Sequence, residues 1–328
     1  MPLLTGFTFD LKNKAPRGCP PDIWAEHDCP DTILSIESAL KYGGHDVIRI
    51  GSSRDLMAML GRLDCDIVFN IAEGISGRDR ESEVPVLLDL ARIPYTGPDA
   101  LTLSVALDKI MAKKILSFHG ILTPSFFGCE GGRETRLPRG IRFPLIVKPR
   151  YEGSAKGISA GSVVTDLKSL KKRALFVYEK YKQPAVVEEF IDGWEFTAGV
   201  LGNERISALP VVQRHLEERS GLSCHVFDKD KRAGHLSYRK LLDMDRDLER
   251  DIQKRALAAF EALECRDFAR FDFRVSQKSR KIYLLEANPL PSLAKDDYFG
   301  MVAELENMSY EAMVNRLFNV SLERCGLR

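Results

Sequence analysis

Apolar and polar residues alternate on both sides of a polar centre between Arg270 and Asn288, and that pattern constrains the chain more than any other: it demands a β-hairpin. Phe271, Phe273 and Val275 alternate with Arg270, Asp272 and Arg274. On the second strand Ile282, Leu284, Glu286 and Asn288 share the matching face, and the polar run Ser276–Lys281 is the turn. With the turn centred near Lys278 and Ser279, Asp272 lies opposite Glu286 to within a residue, and Asn288 is one same-face step beyond.

Two carboxylates facing each other across a ladder repel unless something positive sits between them. Two carboxylate groups and an amide oxygen are hard donors that suit magnesium, which completes its shell with water and phosphate. A nucleoside triphosphate is therefore the first ligand to consider. The same residues also fit a solvated hairpin face on which Arg270 and Arg274 pair with the carboxylates.

The chain has 328 residues, enough for two or three lobes, with 44% hydrophobic and 29% charged residues, as in a globular protein. No stretch approaches the run of about eighteen apolar residues that spans a bilayer, so no membrane association is expected. The opening residues lack a basic region and a small-residue cleavage site, so a secretory leader is not expected either. The net charge of +1, without a basic run interleaved with aromatics, makes nucleic acid a poor partner. Seven scattered cysteines, none in Cys-x-x-Cys spacing, read as reduced thiols of a cytoplasmic protein.

Strand and helix patterns alternate from Gly6–Phe9 through a helix at Asp31–Tyr42, a strand at Val47–Ile50 and a helix at Asp55–Leu63 to an apolar strand at Asp66–Ile71. That order predicts a doubly wound α/β lobe over residues 1–100. The segment Asn70–Arg80 leaves the carboxyl end of its last strand, where open α/β sheets bind ligands. Leu101–His119 reads as one amphipathic helix. Strands at Phe143–Lys148, Ile158–Val164 and Ala185–Phe190, with a helix at Asp166–Tyr181, make a second lobe over 101–190. The third, 191–328, holds the hairpin, a helix at Asp247–Leu263, and a charged stretch, Gln213–Lys240, whose length without periodicity predicts a lid.

Between the strands of the second lobe lies Glu152–Gly157, whose glycines and serine let backbone N–H groups approach phosphate oxygens. A plain hairpin turn uses the same residues. Lys148 ends an otherwise apolar strand and Lys109 sits on the preceding helix; a desolvated ammonium calls for an anion, and phosphate suits it. A snorkelling strand-end lysine and a helix lysine paired to a carboxylate are the alternatives. The segment Val186–Glu195 offers backbone for an adenine edge and a carboxylate for ribose hydroxyls, or is an acidic connection between lobes.

In this order, helix lysine, strand lysine, glycine loop, Glu-Glu strand and Asp/Glu/Asn hairpin resemble the ATP-grasp superfamily, and most closely the D-alanine:D-alanine ligases and related carboxylate-amine ligases. The resemblance rests on Asn70-Ile-Ala-Glu-Gly74, Arg80-Glu-Ser-Glu-Val-Pro85, Ile93-Pro-Tyr-Thr-Gly97, Leu101–Lys109, Ile146-Val-Lys-Pro149, Glu152-Gly-Ser154, Glu195-Phe-Thr197 and Leu284-Leu-Glu-Ala-Asn-Pro289. It implies a multi-lobed α/β and α+β protein, an ATP-grasp fold with an N-terminal doubly wound lobe. By the same resemblance Lys109, Lys148, Glu152, Gly153, Ser154 and Gly157 meet ATP phosphates. Glu188, Glu189 and Ile191 line the adenine pocket, Glu195 holds the ribose, and Lys231 is the lid lysine. Asp272, Glu286 and Asn288 match the ligands of Mg2+, for which Mn2+ can substitute. Arg270, Ser154, Ser292 and Glu73 are the candidate catalytic residues.

The implied reaction is ATP-dependent amide or dipeptide formation from small-molecule amino acid or carboxylate substrates, through an acyl phosphate. Dimerisation through the first lobe is common in the resembling ligases, so a homodimer is a further expectation. Two departures bear on substrate. Phe7–Lys12 stands where the family has a Gly/Ser-rich segment with a carboxylate that orients the first amino acid, and Ser292 occupies the place of a glycine. Asp296 and Asp297 either bind a substrate ammonium or are simply solvated. The alternative to a ligase is a nucleotide-binding regulatory or structural protein that has lost the chemistry. Retention of Arg270 with the complete metal set favours catalysis.

Overall fold

The computed structural model of the chain describes residues 2–131, 136–215, 237–240 and 245–328, whose strands form three sheets. In the first, β1 (Leu4–Thr8) lies between β2 (Asp46–Gly51) and β3 (Ile67–Asn70), all parallel. Helix α1 (Pro30–Tyr42) connects β1 to β2 and begins at a proline, where a missing N–H costs nothing, with Asp31 favouring the positive end of the dipole. Helix α2 (Ser53–Met59) starts from a reciprocal Ser52–Asp55 capping box. Helix α3 (Glu83–Ala91) follows β3, so the alternation read from sequence becomes the expected wound sheet.

The expected single helix over Leu101–His119 is two, α4 (Ala100–Leu107) and α5 (Lys109–Phe118), broken at Asp108 with ψ 93°. The cause is a competing acceptor. Asp108 takes the N–H groups of Ile110 and Met111 at 3.1 and 3.2 Å, and its carboxylate is clamped by Arg150 through two contacts of 2.7 Å. Lys109 therefore opens a new helix rather than riding mid-helix.

The second sheet, antiparallel, has β4 (Phe126–Cys129), β5 (Leu145–Pro149), β6 (Val163–Val164) and β7 (Ala185–Glu189) in the order β4-β7-β5-β6. Helix α6 (Leu167–Tyr181), capped by Asp166, lays Leu170, Ala174 and Val177 on it.

The third sheet runs β11 (Ser237–Lys240), β10 (Val212–His215), β8 (Gly193–Leu201), β12 (Phe268–Ser276), β13 (Ile282–Asn288), with β9 (Ser207–Ala208) added to β8. Helix α7 (Arg246–Ala262) packs Ile252, Ala256 and Phe260 into one core with Phe271 and Phe273, each phenylalanine contributing about 1.5–3 kcal/mol on burial. The stretch expected to be an irregular lid has paired ends, Val212 opposite Lys240; residues 216–236, Lys231 among them, lie outside the described residues. Helices α8 (Tyr298–Leu305) and α9 (Tyr310–Arg324) return to the first sheet. There Leu317 and Phe318 of α9 share a core with Phe7, Ile36 and Phe69.

Candidate functional site

The hairpin has the expected register at its functional end: Asp272 pairs with Glu286 and Arg270 with Asn288. Its far half pairs Phe273 with Leu284, which leaves Leu285 as a bulge residue. Ile282, Leu284, Glu286 and Asn288 thus do not share one face, as strict alternation predicts. Ile282, Leu284 and Ala287 are buried in the core, and the bulge turns Glu286 and Asn288 to the opposite side with Asp272. The Leu284 N–H donates to Leu122 O at 2.8 Å, outside the hairpin.

Several polar groups surround these carboxylates. Thr197 Oγ1 donates to Asp272 Oδ1 at 2.7 Å and Asn288 Nδ2 to Asp272 Oδ2 at 3.1 Å. Lys109 is ion-paired with Glu286. Arg270 lies 3.3 Å from Asp272 and 3.5 Å from Asp297. Burial opposes the charge on both cations, but the facing carboxylates outweigh it and push both pKa values up. Two carboxylates and an amide oxygen, with two counter-cations beside them, make a donor set that fits a hard divalent ion beside phosphate.

A cavity of about 150 Å³ opens beside this platform, between the second and third sheets. Lys109, Lys148, Glu152, Ser154, Glu189 and Ile191 line it, and so do Glu188, Glu195, Arg270, Asp272 and Glu286. Several of the expected contact residues are engaged within the protein. Glu188, 1% exposed, receives Lys148 Nζ at 2.7 Å, and the Glu195 carboxylate is ion-paired with Arg274. Burial would raise the Glu188 pKa, but Lys113 and Lys148 hold it below the usual carboxylate range.

Over the cleft, residues 152–157 turn tightly, with Ser154, Ala155 and Gly157 at positive φ (48°, 55° and 73°). Gly157 lines neither cavity described here; its N–H donates to Asp22 at 2.7 Å. The Gly153 N–H donates to Glu26, which also takes Arg80 at 2.6 Å and Lys156 at 3.3 Å. Burial works against the Glu26 charge, yet Arg80 and Lys156 bring its pKa down to about 2. Glu152 is held by Lys156 and Gln183 at 2.8 and 2.7 Å.

A larger cavity, about 600 Å³, lies between the first sheet and the hairpin. Gly153, Ser154, Arg270 and Asn288 reach it from one side, Glu73 and Ser292 from others. Burial and the neighbouring acids push Glu73 well above the ordinary carboxylate range, and burial pushes Glu81 to about 7. Asp28, in the same wall, is raised to about 7 chiefly by burial. Asp296 is exposed, whereas Asp297 caps α8 and meets Arg270.

Sequence reasoning missed Asp22, Glu26, Asp28, Glu81 and Lys113. Where the Phe7–Lys12 segment is expected to bring no orienting carboxylate, Glu26 and Asp28 bring carboxylates to the larger cavity from further along the same loop. The available signal was the charged run Glu26–Asp28 in the loop after β1, at the ligand-binding end of the sheet. Lys113 had a signal too, one turn from Lys109 on the same helix face. Among the described residues no helix is long and apolar enough to cross a membrane.

Residues 128–319 match the family described as D-ala D-ala ligase C-terminus. The chain is 32% identical to a D-alanine–D-alanine ligase of Aquifex aeolicus over 87% of its length and 92% of that protein. It is 30% identical to the uncharacterized protein y4sG of Sinorhizobium fredii, covering 93% of this chain and 90% of that one. In structure it resembles the D-alanine–D-alanine ligase of Bacillus anthracis complexed with ATP (TM-score 0.74, 21% identity, 98% of each chain). The VanG D-Ala:D-Ser ligase of Enterococcus faecalis is as similar, with TM-score 0.74 and 20% identity over 98% of this chain and all of that one. At such identities the two structures speak for a shared ATP-grasp fold.

Proposed function

The chain belongs to the D-alanine–D-alanine ligase family, and from that premise we propose that it joins two amino acids into a dipeptide at the expense of ATP. It is an ATP-dependent carboxylate-amine ligase; the amino acids and the residue roles are the proposal. The observation that carries the roles is the pairing of Asp272 with Glu286 and of Arg270 with Asn288 beside Lys109.

Asp272, Glu286 and Asn288 would hold magnesium, or manganese, which when bound offsets negative charge on the transferring phosphate. Lys109 and Lys148 leave Glu286 and Glu188 to meet the ATP phosphates, and the Ser154 and Ala155 N–H groups of the turn at Glu152–Gly157 cover them. The backbone from Glu188 and Glu189 to Ile191 borders the adenine, and Glu195 takes the ribose. A substrate carboxylate attacks the γ-phosphorus, releasing ADP and leaving an acyl phosphate. Arg270 steadies the charge of that step and of the tetrahedral state that follows. The amine of the second substrate attacks the acyl carbon and phosphate departs. Glu73, in the wall of the larger cavity, takes up the proton the amine must lose once its carboxyl is ionised. Ser154 and the Ser292 N–H orient the reacting groups. A binding protein without chemistry is the weaker reading, because it leaves Arg270 without a purpose.

Incubation of the protein with ATP, magnesium and pooled D- and L-amino acids tests this. Amino-acid-dependent ADP release with a new dipeptide mass is the expected result. ADP release without any amide would remove the ligase assignment, and an amide other than a dipeptide would remove the finer one.

A further inference from the structure

Lys113 stands behind the wall of the nucleotide cleft, 2% exposed and lining neither cavity described above. Its ammonium donates to Thr123 Oγ1 at 2.7 Å and to the bulge carbonyl of Leu285 at 3.2 Å, and is ion-paired with Glu188 Oε1 at 3.3 Å. The other oxygen of Glu188 holds Lys148 at 2.7 Å. One buried carboxylate thus has two ammonium partners, and they are not equivalent. Lys148 is on the cleft side, where an anion can reach it, whereas Lys113 is anchored on three elements.

An anion entering the cleft competes with Glu188 for Lys148. If Lys148 were the sole partner of Glu188, its departure would strand a buried carboxylate, a loss that opposes the exchange. Lys113 removes that opposition. We propose that Lys113 is a positioning residue for nucleotide binding: it keeps Glu188 neutralised so that Lys148 is free to turn to the phosphates. Through Leu285 it also steadies the bulge that aims Glu286. The proposal rests on the assignment of Lys148 to the ATP phosphates.

Titration calorimetry of the full chain with ATP and magnesium, without amino acids, tests it. In Lys113→Met the Glu188 carboxylate should retain Lys148, so the ATP dissociation constant should rise roughly tenfold or more. In Lys113→Met/Glu188→Gln the competing carboxylate is gone while the backbone beside the adenine is kept, so affinity should be at least about threefold tighter than in the single variant. The double variant leaves no buried carboxylate stranded, so it serves even where the single variant does not fold. Unchanged affinity in a folded single variant, or a double variant that binds no better than the single, overturns the role of Lys113. Where the single variant cannot be studied, a double variant that binds ATP more than about tenfold more weakly than wild type does the same. A wild-type protein that binds no ATP overturns the underlying assignment, and this proposal with it.

Discussion

Asp272 faces Glu286 across β12 and β13 because Leu285 drops out of the ladder between Leu284 and Glu286. Without that extra residue, the side of the hairpin bearing Asp272 would present a leucine opposite it. The bulge converts an ordinary amphipathic hairpin into a paired-carboxylate platform, at the cost of a ladder bond that Leu122 replaces.

The platform predicts separate effects on turnover and folding. Asp272→Asn and Glu286→Gln keep the hydrogen-bonding shape that Thr197 and Lys109 meet. Each should lower ADP release by about a hundredfold or more while shifting the melting midpoint little. Calorimetric melting beside a steady-state assay checks both; full activity in both variants would end the metal assignment.

Arg270→Lys separates binding from chemistry. A lysine keeps the charge but not the planar fork that spans Asp272 and Asp297. The expected result is a fall in kcat of about a hundredfold with KM for ATP changed less than about threefold.

Glu26 should make stability depend on acid in one direction. Its folded pKa lies near 2, below the ordinary 4.5, so its contribution is present above about pH 4.5 and lost as pH falls towards 2. Glu26→Gln should therefore cost about 3 kcal/mol in urea unfolding at pH 7, with the difference from wild type shrinking below pH 4.5.

Asp28 should act in the opposite sense. Its folded pKa is raised to about 7, so its contribution is complete below about pH 4 and disappears as pH rises through 7. Asp28→Asn is expected to melt above wild type at pH 8 and level with it at pH 4. A variant that melts lower at both values would contradict the burial of that carboxyl.

Much of this architecture is written locally. The wound sheet follows from alternating strand and helix patterns, and a turn centred near Lys278 brings Asp272 opposite Glu286 to within a residue, the bulge at Leu285 supplying the last step. What sequence did not disclose depends on distant partners. The Leu285 bulge answers to Leu122, and Glu26 meets Gly153 across 127 positions. The helix break at Asp108 lies between these cases. An aspartate is a visible capping residue, but it stops a helix here because Arg150 holds it.

The packing of α9 on the first sheet has a consequence for how the protein is made. Phe7, Ile36 and Phe69 wait for Leu317 and Phe318 before their shared face is covered. Translation delivers the amino-terminal segment first, yet that segment must leave the ribosome with an open apolar side. A part synthesised before the other two sheets is among the last to be sealed.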